Sequence, residues 1–325
     1  MLINAGETKN VGVELTVNTV NFSTKKFSWN TTLTLSHNKN SVKALTGEAV
    51  QLYEARFGFN QNTHRIAVGE PLGQFYGYIT EGLYQVDDFN YDASTQTYTL
   101  KDGVPYHGDK GQIRPGMWKF KNLTGDDNVI DENDKTVIGN AQPKFYGGLN
   151  NSFTYKGFDL SIFLTFSYGN EVLNATKLVT SKVGSLNYNA LDVMNSSNRW
   201  MTINSDGQKV TDPGELAALN AGKTVAAYHD AQQGDNYIHS WAVEDASYLK
   251  LSNVTLGYTF PKNLIARIGL KNLRLYATGH NLLTWTKYSG FDPEVSTMKS
   301  GLTPGVDFGA YPLSRSFIFG LNVAF

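Results

Sequence analysis

The chain alternates between apolar and polar positions over long stretches. Across residues 27–36, Phe27, Trp29, Thr31, Leu33 and Leu35 share one face, and Ser28, Asn30, Thr32, Thr34 and Ser36 the other. Across 158–168 one face carries Phe158, Leu160, Ile162, Leu164, Phe166 and Tyr168, against Asp159, Ser161, Phe163, Thr165 and Ser167. Val11, Val13, Leu15 and Val17 repeat the pattern. So do Phe317, Phe319, Leu321, Val323 and Phe325 at the end of the chain. Strand side chains point to opposite faces in turn, so each stretch predicts a strand with one apolar and one polar side. Weaker alternation predicts further strands at 72–85, 145–155, 249–260 and 273–283, with a short one at 63–68. The expected total is about nine, many near the roughly 9–11 residues that a tilted strand needs to cross a bilayer.

The connections alternate as well. In order they run over 21–26, 39–62, 69–71, 86–144, 156–157, 169–248, 261–272 and 284–314, short then long throughout. A Greek-key sandwich has no reason for that rhythm. An antiparallel barrel threaded through a membrane does, because every second connection lies on the same side. Trp29, Tyr155, Phe158, Tyr168, Tyr258, Phe260, Trp285 and Tyr288 lie near the predicted strand ends, where aromatic girdles belong.

Composition narrows the chemistry. The 325 residues hold 28 basic and 29 acidic side chains, which leaves no electrostatic footprint for nucleic acid. The absence of cysteine excludes disulfides, thiolate metal sites and cysteine nucleophiles. No apolar run is long enough for a transmembrane helix, and residues 1–10 lack the features of a signal peptide. The histidines are scattered, at 37, 64, 107, 229, 239 and 280, and no hydrolase or phosphate-loop motif occurs. Catalysis is therefore not expected, and Glu244 and Asp245 are expected to hydrogen-bond at a rim.

A set of ordered motifs adds a family. They are 10–14 (NVGVE), 73–78 (GQFYGY) with 81–85 (EGLYQ), 131–139 (DENDKTVIG) leading to 143–148 (PKFYGG), 243–258 (VEDASYLKLSNVTLGY), 271–276 (KNLRLY), 279–283 (GHNLL), 291–295 (FDPEV) and the tail 311–325. With them the chain resembles the C-terminal part of SusC/RagA-type TonB-dependent outer-membrane transporters of Bacteroidetes. The resemblance implies an all-β, antiparallel transmembrane barrel. This chain would supply about nine of 22 strands, as one partial barrel domain over 1–325. The signal peptide, TonB-contacting segment and plug would precede it. It implies TonB-dependent import of a nutrient, a glycan or an oligopeptide, across the outer membrane. The implied partners are a SusD-like surface lipoprotein, TonB–ExbB–ExbD acting through the missing N-terminal part, the barrel-assembly machinery and outer-membrane lipid. Phe317, Phe319, Leu321, Val323 and Phe325 resemble the insertion signal that this machinery reads. A passive porin-like barrel and a secreted carbohydrate-binding β-sandwich are the alternative readings.

Two sets of site residues follow. Family members carry a calcium-loop-like acidic run near 122–134. In this chain Asp127, Asp131 and Asp134 fall in register with oxygen ligands, whereas Leu123 and Gly125 occupy the first two ligand positions. That suits at most weak calcium or magnesium binding, and no other cofactor is expected. In the long loops, Tyr53, Phe57, Phe59, Trp118 and Trp200 are the expected ligand contacts, because aromatic faces stack on sugar rings. The segment 213–220 is expected to form a short helix capped by Asp212.

Overall fold

The computed structural model describes residues 6–46, 50–54, 62–125, 127–181, 189–227, 237–298 and 300–325. Seven long strands form one sheet in chain order: β1 (Gly6–Ser23), β2 (Phe27–Leu45), β3 (Phe145–Tyr155), β4 (Phe158–Tyr168), β5 (Tyr248–Thr259), β6 (Asn272–Thr286) and β7 (Ser316–Ala324). Each pairs antiparallel with the next.

Register lines up the apolar faces. One row runs Leu33, Leu149, Leu164, Leu251, Leu283 across five strands. Another runs Trp29, Phe153, Leu160, Leu256, Ala277, Phe319. Two aromatic rows bound this band: Phe27, Tyr155, Phe158 and Tyr258 at the short-turn end, Phe145, Phe166, Tyr168 and Trp285 at the long-loop end. Tyr155 and Phe145 are the ends of β3. That strand rises about 33 Å, which a tilt near 40° reduces to the roughly 25 Å of an outer-membrane apolar band. Thr31 and Asn151 are polar exceptions on this face, and they satisfy each other at 2.7 Å while the Trp29 indole donates to Asn151 at 3.0 Å.

Burial is inverted relative to a water-soluble protein. The apolar wall is exposed, for example Leu256 at 51% and Phe319 at 81%, whereas the buried apolar clusters lie in the long connections. Connections at one end are short: residues 24–26, the two-residue turn Lys156–Gly157 with both φ positive, and 260–271. At the other end 46–144, 169–247 and 287–315 are long, as expected.

Two expectations change. Among the described residues the wall has seven strands where the sequence predicts about nine, because the alternating stretches at 63–68 and 72–85 do not enter it. They become Asn62–Ala67, Gln74–Gly77 and Thr80–Leu83, short strands in the long-loop layer with both faces largely covered. Removing two strands leaves the up-and-down order of the others unchanged. The weak alternation of β5 also finds its cause. A bulge between Leu251 and Asn253 flips its phase, so that Leu249 and Leu251 point outward before it and Val254, Leu256 and Tyr258 after it.

The long connections fold together into a cap. The four-stranded sheet Thr136–Asn140, Gln74–Gly77, Asn62–Ala67, Val50–Glu54 belongs to the first. Glu171–Asn174 of the second pairs with Val243–Asp245 and, in parallel, with Val306–Asp307 of the third. A bridge between Tyr78 and His239 joins first to second. The short helix is present at Pro213–Leu219, with the Asp212 carboxylate accepting from Glu215 N–H at 3.0 Å.

Among the described residues β1 and β7 each pair on one side only. In hydrocarbon each unanswered backbone group costs several kcal/mol, and the smallest outer-membrane barrels have about eight strands. Expressed alone, the 325-residue chain is expected to give no heat-modifiable band on a semi-native gel. A faster-migrating, heat-sensitive monomer would contradict this.

Candidate functional site: the polar wall and its cap

The face opposite the apolar band is mainly polar, with Phe163 and Ile318 as apolar exceptions. Ser28 and Thr154 hydrogen-bond at 2.6 Å, Ser161 donates to Asn150 at 3.1 Å, Thr165 and Ser252 meet at 2.7 Å, and Thr255 and Thr278 at 2.9 Å. These cross-strand pairs satisfy hydroxyls and amides without fixed charge. One ion pair crosses the surface. The Arg274 guanidinium on β6 donates twice to the Asp159 carboxylate on β4, at 3.0 and 2.5 Å, spanning β5. Gly257 lies between them on β5, where a Cβ would come within 2.5 Å of the guanidinium and 2.6 Å of the carboxylate. The glycine thus opens the path for a bidentate pair that no bulkier residue would allow. Arg274 also stacks over Tyr276, 4.9 Å from its ring centre.

Carboxylates clamp the cap onto the wall. Glu244 accepts from the Ser289 N–H and hydroxyl, both at 2.9 Å, and from Lys177 at 3.0 Å. Burial opposes its negative charge, yet the Ser289 N–H and the Lys177 ammonium outweigh that and hold the carboxyl below its ordinary range. Asp245 accepts from Ser247 N–H at 2.9 Å. This is the rim role expected of the pair. The motif 291–295 does the same for the third connection. Lys250 on β5, only 4% exposed, is held by Glu294 and by Asp292 at 3.5 Å, and the Tyr248 hydroxyl donates to Glu294 at 2.6 Å. Tyr288, expected in a girdle, is instead buried here and donates to Asp307 at 2.5 Å.

The acidic loop is built around Asp134, which is fully buried. Its carboxylate accepts from the N–H groups of Leu123 at 2.6 Å, Thr124 at 2.8 Å and Asp131 at 2.8 Å. Burial pushes this carboxyl up, and the three N–H donors together pull it below the ordinary value. Asp131 accepts from Asn133 N–H at 2.7 Å, and Asp127 from Val129 N–H at 3.3 Å. The three carboxylates therefore point at backbone donors and do not converge, and no cluster able to hold a metal occurs among the described residues. In this structure Asp127, Asp131 and Asp134 are engaged by backbone N–H groups and do not form a shared cation site among the described residues. Their sequence register resembled a calcium loop because turn-forming and ion-binding carboxylates share the same spacing.

The expected aromatic contacts separate. Trp118 and Trp200 are 5% and 1% exposed and pack in one cluster with Tyr78, Leu83, Phe120 and Leu216. They are the core of the cap, not a stacking platform. Loop aromatics looked free in the sequence because nothing there shows that the connections pack on one another. Tyr53 is half-buried and donates to Gln51 at 2.5 Å, and Phe57 and Phe59 lie outside the described residues. What sequence reasoning missed is the Asp159–Gly257–Arg274 group, whose signal was a charged residue on the polar face of each of two strands flanking a glycine.

Three comparisons bear on this architecture. No family model matches the chain. Over 99% of its length it is 33% identical to the TonB-dependent receptor P3 of Formosa agariphila, of which it covers 29%. It is 27% identical over its whole length to the TonB-dependent receptor SusC of Bacteroides thetaiotaomicron, covering 27% of it. Its fold matches the structure of the RagAB peptide transporter with a TM-score of 0.67 at 20% identity, over 99% of this chain and 29% of that one. The chain thus spans under a third of the length of the relatives it matches.

Replacing Asp134 by Ala is expected to destabilise the cap by about 1–3 kcal/mol, because it strands three buried N–H groups. Millimolar calcium is expected to leave the cap's melting unchanged. Acid is expected to loosen the cap in two stages. Burial, with Lys177 and His107 nearby, lowers the His239 pKa to about 3 from 6.5, so unfolded chains take up the proton first and stability falls as pH drops below 6.5. Asp134, whose pKa is lowered, adds a further loss as pH falls below about 3.8. Limited proteolysis of residues 62–125 against pH reads both stages.

Proposed function

This chain belongs with the SusC/RagA-like TonB-dependent receptors, and from that premise we propose that it forms wall, rim and cap of an outer-membrane nutrient importer. The observation that carries the reading is the inverted burial: an exposed apolar band between two aromatic rows, backed by a polar face. Residues 1–325 are one partial barrel domain. The apolar faces meet lipid, and the face holding Asp159, Arg274 and the cross-strand hydroxyls lines the lumen. Cargo binds on the cap side and passes along the lumen when TonB–ExbB–ExbD, driven by the proton gradient, acts on the rest of the receptor. A SusD-like lipoprotein covers the cap. The cargo is a glycan or an oligopeptide. SusC is a relative, and the similar RagAB structure is a peptide transporter. Phe317, Phe319, Leu321, Val323 and Phe325 point outward on β7 and its end, as suits a signal read by the barrel-assembly machinery.

The role asked of these residues is passage and positioning, not bond making. The Asp159–Arg274 pair is neutral as a unit, and most of the remaining lining is hydroxyl and amide, with Glu14 as a further charge. Such a surface offers exchangeable hydrogen bonds without trapping charged cargo.

Two experiments test the reading in the intact receptor. Ile162→Arg, on the outward face of β4, is expected to cost about 2–4 kcal/mol and to abolish outer-membrane assembly. Ser161→Arg, one residue away on the other face, is expected to assemble. Equal behaviour of the two variants would overturn the assignment of faces. Growth on the cargo as sole nutrient is expected to stop on loss of either the receptor or TonB, whereas growth that survives loss of TonB would indicate a passive pore.

A further inference from the structure

We propose that the short-turn rim is a docking surface for the anionic headgroups of glycerophospholipids in the adjoining membrane leaflet. The proposal rests on the membrane-spanning reading above.

Charge is the first observation. The three short connections carry Lys25 and Lys26, then Lys156, then Lys262, Arg267 and Lys271, all exposed. None of the six forms an ion pair among the described residues. Residues 18–31, 150–162, 254–278 and 316–325, which make up this end of the wall, contain a single carboxylate side chain, Asp159. Arg274 neutralises it. Six cations therefore have no side-chain carboxylate partner at one end of a chain that is balanced overall.

The second observation is apolar. In the third connection a short helix, Lys262–Ile265, runs on through 266–268. Buried Ile265 pins it to the wall, while Leu264 and Ile268, four residues apart, are 54% and 68% exposed. Their helix begins two residues after Phe260, which packs on Tyr258 at 5.0 Å, and Tyr258 packs on Phe158 at 4.5 Å in the short-turn aromatic row. Lys156 lies 5.2 Å over Tyr155 of the same row. Aliphatic side chains at the level of an aromatic girdle, with cations directly beside them, are the arrangement of an interfacial lipid anchor. An acidic soluble partner would answer the charge but not Leu264 and Ile268.

The test uses the intact receptor, purified in detergent, mixed with equal amounts of phosphatidylglycerol and phosphatidylcholine and examined by native mass spectrometry. The receptor is expected to retain phosphatidylglycerol over phosphatidylcholine by about tenfold, since each cation near an anionic surface contributes measurably. Replacing all six cations by Gln is expected to abolish that preference and leave phosphatidylcholine retention unchanged. The milder set Lys262→Gln, Arg267→Gln and Lys271→Gln is expected to reduce it partly, and stands in if the six-fold variant fails to assemble. Leu264→Ser with Ile268→Ser is expected to lower retention of both lipids. No preference in the unmodified receptor, or a preference that survives loss of the charges, overturns the proposal. Retention of neither lipid by the unmodified receptor would instead overturn the membrane-spanning reading itself.

Discussion

The hydrogen-bond ladder between neighbouring strands is the interaction on which everything else in this molecule depends. A hydrocarbon layer offers no water to backbone N–H and C=O groups, so a chain crossing it must answer them internally. Antiparallel pairing of β1 to β7 does so along the wall. The same pairing sends successive side chains to opposite faces, which lets one strand be apolar toward lipid and polar toward the lumen. It also places successive turns at opposite ends, and from that follows the separation of a tight end from a long-loop end.

Once the wall's apolar surface is committed to lipid, the long connections must find a core of their own. They do so by packing on one another. Trp118 and Trp200 fill one cluster, and Phe75, Leu173 and Ile238 another. Buried carboxylates then fix this layer to the wall and to itself. Glu244 and Asp134 are each surrounded by donors and kept ionised by them, and Lys250 answers the two acidic residues of the 291–295 motif. Removing one partner of such a group leaves a buried charge uncompensated, which is why these residues are structural and not exchangeable.

The wall distributes charge differently at its two ends. At the long-loop end cations and carboxylates are interspersed, and Lys119, Lys177 and Lys250 form buried or half-buried ion pairs. At the short-turn end cations stand alone beside aromatic and aliphatic side chains. Between them the lining carries little charge, one bidentate pair and Glu14, which fits a surface past which solutes move.

Much of this was legible in the sequence. Period-two alternation revealed β1, β2, β4 and β7 because each keeps one phase over its central stretch, with the irregularities of β1 and β2 confined to their ends. β5 was faint because its bulge reverses the phase at Ser252. The stretches at 63–68 and 72–85 carried the same period but not the same fate, since alternation reports a half-covered strand and not what covers it. The site divided along the same line. Glu244 and Asp245 showed their role as rim acceptors, whereas Asp127, Asp131 and Asp134 had a spacing that serves turns and ions alike. Local chemistry therefore determined which residues make strands, which face is apolar and which end has tight turns, because those depend on neighbours one or two positions away. Only the tertiary structure decided that seven strands build the wall, that Trp118 and Trp200 are core, and that Asp159 reaches Arg274 over Gly257. Each of these depends on residues far apart in the chain, and their meeting is set by register and packing that no local pattern encodes.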